Sequence, residues 1–321
     1  MLEIKKFKET NLEFQELARI DNLVNHDSID HPDDDKRDWF LRDKNIIRDR
    51  LLLYDNQILV GVIYYSQGRG QNCRTTFFTM NIDPQFNLEE SREMLYNAMR
   101  IEIDKFHCNK IFTNIYEHSN YDLLKQFLIS KDFKHVQTNR EYSCQIKNIN
   151  LNKYQSLIEK LKFDGIDFYD SKEEMKDWPN HYTKLEQLTW NYHQDFPLPK
   201  GVMHTRTPFE QAMKVQEDFE QNYYGTEIVA VKDGEYIGST DLEVYYKSEP
   251  HKAWTNGLGV LKDFRRRGIA TALKIKAIEK LIEKGITEVR TDNEENNPMY
   301  KINVALGFEP VPYSLEFMKE V

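Results

Sequence analysis

The chain has 321 residues, of which 40% are hydrophobic and 30% charged, enough for two domains of about 150 residues that each bury a core. With 53 acidic residues against 44 basic ones the net charge is −9, which argues against a general nucleic-acid coat and leaves only a local basic site. No apolar run approaches the roughly 18 residues of a membrane span. Cys73, Cys108 and Cys144 are odd in number and form no CxxC pair, which argues against a disulfide framework or a zinc knuckle.

The first eight residues alternate apolar and charged side chains, lack the apolar stretch of a secretory signal, and predict a β-strand. Together with the cysteine usage this points to a soluble, reduced, cytoplasmic protein that engages neither membrane nor nucleic acid. His26, Asp27, Asp30, His31 and Asp33 to Asp35 form an acidic stretch that reads as a solvated loop, so no metal is expected. Strands are expected at 58–65 and 76–82, a helix at about 89–106, a strand at 110–115, a helix at 120–130 and a strand near 141–146.

The second half runs through the same order. A strand at 228–231 and a strand at 236–245 flank the Asp233-Gly234 turn, and 253–260 is a strand leading into a helix at 268–284 closed by Gly285. A strand at 288–291, a helix at 298–306 begun by Pro298, and a last strand entered at Gly307-Phe308 complete it. Asn148, Asn150 and Asn152 interrupt the pattern, so the expected organisation is a tandem duplication with domains at 1–147 and 153–321.

One segment carries most of the chemistry. After Gly257-Leu258-Gly259-Val260 a strand ends, Arg265-Arg266-Arg267-Gly268-Ile269-Ala270-Thr271 makes a basic turn, and a long helix begins. N–H groups at a helix start have no intrahelical partner, and the helix dipole adds partial positive charge there. Gly268 and Ala270 are small enough to let an anion approach the main chain, and three arginines add formal charge, the ingredients of a phosphate or pyrophosphate site. No Gly-Lys-Ser/Thr follows, so this is no Walker loop, and the first glycines of a dinucleotide fingerprint are missing.

This segment resembles the coenzyme A motif of the GCN5-related N-acetyltransferase (GNAT) family, a Val followed by Arg-x-x-Gly-x-Gly/Ala. The stretch from Asn296 to Gly307-Phe308 is similar to that family's second cofactor motif. The resemblance covers about residues 160–321 and looks most like tandem two-domain members. It implies an α/β (α+β) fold of two GNAT-like domains, each a mixed, mostly antiparallel twisted sheet flanked by helices. It also implies acetyl-CoA as co-substrate, with Leu258, Gly259 and Val260 on the pantetheine arm, Arg265 to Thr271 around the diphosphate, and Asn296 in the second motif. Many members place a tyrosine that protonates the leaving thiolate where this chain has Asn303; as a catalytic candidate its amide can hydrogen-bond to the sulfur but cannot act as a general acid, and Tyr300, one turn earlier, is the candidate substitute. In the first half the equivalent of the arginine turn is approximately Asn87-Leu88-Glu89-Glu90-Ser91-Arg92, whose glutamates repel a diphosphate, so that half is expected to be a degenerate copy.

Transfer of an acyl group from a thioester to an amine also needs a base. The strand before the cofactor loop offers no glutamate, which leaves Asp241 and Glu243 on the neighbouring strand, both on one face of it, cleft or solvent. His193 and Asp195, in a loop broken by Pro197 and Pro199, are candidates to bind a cationic amine, whereas Asn222-Tyr223-Tyr224-Gly225 reads as packing. The expected activity is N-acetyl transfer to an amine of a small molecule or peptide, with the active site in the second half. A non-catalytic acyl-CoA-binding or interaction module stays open, as does a tandem transferase using an aminoacyl-tRNA donor, although no extended basic surface is visible for the latter.

Overall fold

Two-residue turns set the hairpins of this chain. Asp233 and Gly234 both take positive φ, 51° and 81°, so Lys232 pairs directly with Glu235 across a tight turn whose twist suits the strands it joins. In the computed structural model, which describes residues 1–25, 28–222, 224–245 and 247–321, the chain divides into two compact units. His26 and Asp27 of the acidic stretch and Tyr223 of the aromatic cluster lie outside the described residues.

The chain begins with β1 (Leu2–Lys6), α1 (Asn11–Val24), α2 (Pro32–Leu41), β2 (Arg48–Asp55), β3 (Ile58–Gln67) and β4 (Thr75–Ile82). It continues through α3 (Glu89–Ile103), β5 (Lys110–Tyr116), α4 (Asp122–Ser130) and β6 (Lys134–Gln145). Then come α5 (Gln155–Phe163), β7 (Ile166–Asp170), α6 (His181–His193), α7 (Phe209–Asn222), β8 (Tyr224–Lys232) and β9 (Glu235–Val244). The last elements are β10 (Lys252–Val260), α8 (Ile269–Glu283), β11 (Glu288–Glu294), α9 (Tyr300–Ala305), β12 (Glu309–Pro310) and β13 (Ser314–Glu320).

The first unit comprises Met1–Asn139, Leu198–Thr205 and Pro312–Val321. Its strands run in the order β1-β2-β3-β4-β5-β13 and then the first part of β6, antiparallel except for the parallel pair β4–β5. The final strand of the chain is therefore a strand of the first unit. Sequence reading leaves it in the second half, because order along the chain says nothing about which sheet edge a strand will join. α1 starts at a capping box: Thr10 Oγ1 accepts from the Glu13 N–H at 3.2 Å and the Glu13 carboxylate accepts from the Thr10 N–H at 3.2 Å. Within this unit Arg50 is 2% exposed and its guanidinium is gripped by both carboxylate oxygens of Asp35 at 2.6 and 2.5 Å. The rings of Phe7, Phe14, Trp39 and Tyr64 stand within 4.7 to 5.6 Å of it.

The second unit comprises Arg140–Pro197 and Arg206–Val311. Its order is β7-β8-β9-β10-β11 followed by the remainder of β6, which also pairs β12, and β10–β11 is a parallel pair. α8 packs its apolar stripe, including Ala272, Leu273, Ile275 and Ile278, into the core of this unit against Ile228, Ala230 and Ile237. Each such buried Leu or Ile contributes about 1.5–3 kcal/mol relative to exposure. α6 lies on another core patch, with Leu188 and Tyr192 against Val229 and Tyr236. Both units thus have the mixed, mostly antiparallel sheet with flanking helices that sequence resemblance implies. Among the described residues no helix is long and apolar enough to cross a membrane, and no group of three or more His, Cys, Asp or Glu is placed to hold a metal ion.

Candidate functional site

The site in the second unit starts from a defect in its sheet. β10 and β11 pair in register only from Lys252↔Glu288 to Trp254↔Arg290, although β10 runs on to Val260 and β11 to Glu294. Beyond Trp254 the β11-facing edge of β10 has no strand partner among the described residues, so main-chain donors and acceptors stand open to an extended ligand. The same stretch bulges against β9: Thr255 pairs Leu242 and Gly257 pairs Asp241, leaving Asn256 as the extra residue. The hydroxyl of Thr255 is buried and has no hydrogen-bond partner among the described residues.

At the end of β10 the chain makes the arginine turn. Arg266 and Gly268 take positive φ, 64° and 87°, and a side chain at Gly268 would also meet Leu157 at 2.6 Å, so this position admits only glycine without rearrangement. Gly268 is the N-cap of α8 and no side chain caps it. The first helical bond is Ala272 N–H to Gly268 O, which leaves the N–H groups of Ile269, Ala270 and Thr271 without helix partners. The Ile269 side chain is buried in the core, so only its main chain is offered at the turn. Arg265, Arg266 and Arg267 are exposed around this helix start. Arg265 Nε donates to Val260 O at 2.8 Å and Arg267 donates to Asp263 O at 3.1 Å.

Asp195 has a different place from the one sequence suggests. Its carboxylate accepts from Arg265 at 2.6 Å and pairs with Lys262 Nζ at 3.0 Å, and these two cations hold it below the usual carboxylate range. It braces the arginine turn and is not left open to an amine. His193, at the end of α6, packs its ring on Phe196 with centroids 4.6 Å apart and faces Gly257, whose Cβ would lie 3.8 Å from His193 Nε2. Tyr192 covers Gly259 so closely that a Cβ there would sit 2.1 Å from its ring, and its hydroxyl meets Ser239 Oγ at 3.1 Å. Leu258 packs partly buried against the core.

Asp241 and Glu243 share the β9 face that carries Ser239, which lies toward Tyr192 and His193. Cross-strand pairing adds a residue that sequence reading missed: Glu227 on β8 lies directly opposite Asp241. Three carboxylates crowded on a half-buried face cannot all ionise easily. Burial pushes Asp241 up to about 7, with the charge of Glu243 adding to it and a hydrogen bond from Asn256 opposing it. Burial also pushes Glu227 up to about 8, with Asp241 adding to it, and raises Glu243. Lys172 is the cation whose attraction opposes all three shifts. Acids that lose their protons near neutrality are suited to general-base work.

The residues proposed for the thiol end divide. Asn303 is 2% exposed, its Oδ1 accepts from Lys274 Nζ and its Nδ2 donates to Asn293 Oδ1 at 2.8 Å. Both ends of the amide are thus committed inside the unit. Its partner Lys274 is buried over the Phe308 ring, and burial pushes its ammonium down to about 7. Tyr300 packs half-buried against the core, and Asn296 is exposed and donates to the Glu294 carboxylate.

Residues 184–304 match the model of the acetyltransferase (GNAT) family. No curated protein matches the chain in sequence. Among solved structures the chain is similar to a tandem GNAT protein from the clavulanic acid biosynthesis pathway, with 15% identity and a TM-score of 0.79 over 100% of this chain and 98% of that one. It is also similar to a GCN5-related N-acetyltransferase from Sphaerobacter thermophilus, with 14% identity and a TM-score of 0.69 over 99% and 95% of the two chains. A GCN5-related glucosamine N-acetyltransferase region of a fungal multi-domain β-N-acetylglucosaminidase gives 13% identity and a TM-score of 0.73, over 99% of this chain and 38% of that one. At such identities the likeness is one of fold. Residues 184–304 thus form a domain of the GNAT acetyltransferase family, in a chain that has the fold of tandem GNAT proteins.

Proposed function

We propose that the second unit is an acetyl-CoA-dependent N-acetyltransferase that acylates an amine of a small molecule or peptide. The observation that carries this reading is the parting of β10 and β11 after Trp254, which opens main-chain groups beside an uncapped helix start ringed by arginines. The residues present fit the co-substrate. The open edge of β10 and the orphaned Thr255 hydroxyl suit a pantetheine chain with amide groups, and the turn from Arg265 to Thr271 suits a diphosphate. Bound there, acetyl-CoA supplies the acyl thioester.

The chain's own part is to hold the amine and take its proton. Glu227, Asp241 and Glu243 attract an ammonium to the face beside Gly257, and the ionised Asp241 or Glu227 accepts the proton that must leave before nitrogen attacks. The new bond joins amine nitrogen to the acyl carbon, the carbon–sulfur bond breaks, and the sulfur leaves on coenzyme A. The first unit lacks an arginine turn of this kind and serves as a partner domain in this reading.

The test is release of free thiol from acetyl-CoA with a panel of small amines, amino sugars and peptides. Amine-dependent release by the native chain is the expected result. Acetyl-CoA binding without turnover on any amine would instead favour a non-catalytic binding module.

A further inference from the structure

We propose that Lys274 is a positioning residue of the co-substrate site, locking α9 to α8 and β11 through Asn303 and Asn293; the proposal rests on the reading of that site given above. The site opens where β11 leaves β10 after Arg290, and each strand runs on into a helix, β10 through the arginine turn into α8 and β11 through residues 295–299 into α9. What flanks the opening therefore depends on where these two helices are held. α8 has 15 residues and an apolar stripe that fills the core. α9 has six, too few to be helical without tertiary contacts, so its place is set by what it touches.

The contacts of α9 include one buried polar chain. Lys274, on the second turn of α8, is 1% exposed, and its ammonium donates to Asn303 Oδ1. The same amide donates from Nδ2 to Asn293 Oδ1 at 2.8 Å, and Asn293 lies past Arg290, on the end of β11 that has left β10. A single buried amide thus joins three elements. The Tyr154 hydroxyl, donating to Ala305 O at 2.8 Å, and the burial of Leu306 complete the hold on α9.

A lysine at this place works against stability. Among the described residues no carboxylate pairs with it, and its ammonium rests over the Phe308 ring, 4.6 Å from the centroid. Burial accordingly pushes its pKa down to about 7. A methionine would fill similar space without the desolvation cost. What lysine supplies instead is direction. An ammonium has only donors, so it fixes Oδ1 of Asn303 toward α8 and leaves the Nδ2 donor for Asn293. Without it the amide is free to turn over, and α9 loses its register against the free end of β11.

The experiment uses the full chain, with acetyl-CoA as probe in calorimetry and amide hydrogen exchange of residues 300–308 as a ligand-free readout; melting temperatures check that each variant is folded. Lys274→Met removes the donor, and Asn293→Ala removes the far acceptor at a half-buried position where little packing is lost. Each is expected to weaken acetyl-CoA binding about tenfold and to speed exchange in α9. Asn293→Asp, which keeps an acceptor for the Asn303 Nδ2, should retain native affinity and exchange. The double variant Lys274→Met, Asn293→Ala should bind about as weakly as either single one, because both break the same chain. Native affinity in Lys274→Met, or Asn293→Asp as weak as Asn293→Ala, overturns the positioning role. Faster exchange with native affinity overturns it too, leaving a purely structural contact. Absence of acetyl-CoA binding by the native chain overturns the co-substrate reading instead, and the exchange rates then decide the lock by themselves: unchanged rates in Lys274→Met and Asn293→Ala overturn it.

Discussion

Asp241→Asn is expected to lower kcat for amine acylation roughly 100- to 10,000-fold, the usual range for loss of a general base, with little change in acetyl-CoA affinity. Asp241 stands between Glu227 on β8 and Gly257 on β10, with Glu243 two residues along its own strand and His193 and Tyr192 facing it from α6. With its pKa pushed up to about 7, the native carboxyl is protonated at pH 6 and ionised at pH 8, so kcat should rise across that interval. The variant should lose this limb and keep only a weaker rise from Glu227, displaced below its native position near 8 because the Asp241 charge that helps to raise it is gone.

Stability should move the opposite way. A carboxyl whose folded pKa lies above its unfolded value of 3.8 favours folding most at low pH, and that advantage is lost as pH rises through about 7. Asp241→Asn is therefore expected to be more stable than the native chain at pH 8 and to show little or no gain at pH 4, which a pair of denaturant titrations would measure. Equal kcat in the variant, or an unchanged pH profile, would remove Asp241 from the chemistry.

Asp35→Ala is the second large effect, and it concerns the first unit. Removing one partner of a buried ion pair leaves Arg50 charged at 2% exposure among Phe7, Phe14, Trp39 and Tyr64, at an expected cost of about 3–5 kcal/mol. The rings attract the cation but supply no hydrogen-bond acceptors for its N–H groups, so they offset only part of that loss. Arg50→Met should cost less, since Asp35 is 22% exposed and can be hydrated once its partner is gone. Denaturant unfolding of the two variants checks the order; a milder effect for Asp35→Ala than for Arg50→Met would contradict it.

Much of the fold was legible because its signals are local. The helix expected at 268–284 is α8 at Ile269–Glu283, fixed by a glycine with positive φ at its start and Gly285 just beyond its end. The strand expected at 76–82 is β4 at Thr75–Ile82, and the one at 253–260 is β10 at Lys252–Val260. The arginine turn could be recognised for the same reason, since spacing, charge and helix start lie within a few consecutive residues.

What sequence did not reveal depends on register and burial. Glu227 joins the acid group only because β8 pairs with β9 so that it falls opposite Asp241, and the strand expected from residue 228 stopped one residue short of it. Asn303 reads in sequence only as a residue of the second cofactor motif, and its burial against Lys274 of α8 depends on packing between two helices. Asp195 looks free to meet an amine, yet its loop folds back so that Arg265 and Lys262 take both carboxylate oxygens. β13 leaves the half in which it lies in sequence because its apolar face, Leu315 and Phe317, completes the core of the first unit. Such pairings link residues far apart in the chain, and no local periodicity encodes them.

The central claim is that the turn from Arg265 to Thr271 holds the co-substrate, and calorimetry of acetyl-CoA binding tests it most directly. The native chain should bind with micromolar affinity, and the triple variant Arg265→Ala, Arg266→Ala, Arg267→Ala should bind at least about 100-fold more weakly, as expected when several charge-assisted contacts are lost together. No binding by the native chain, or binding that the triple variant retains, would contradict the assignment.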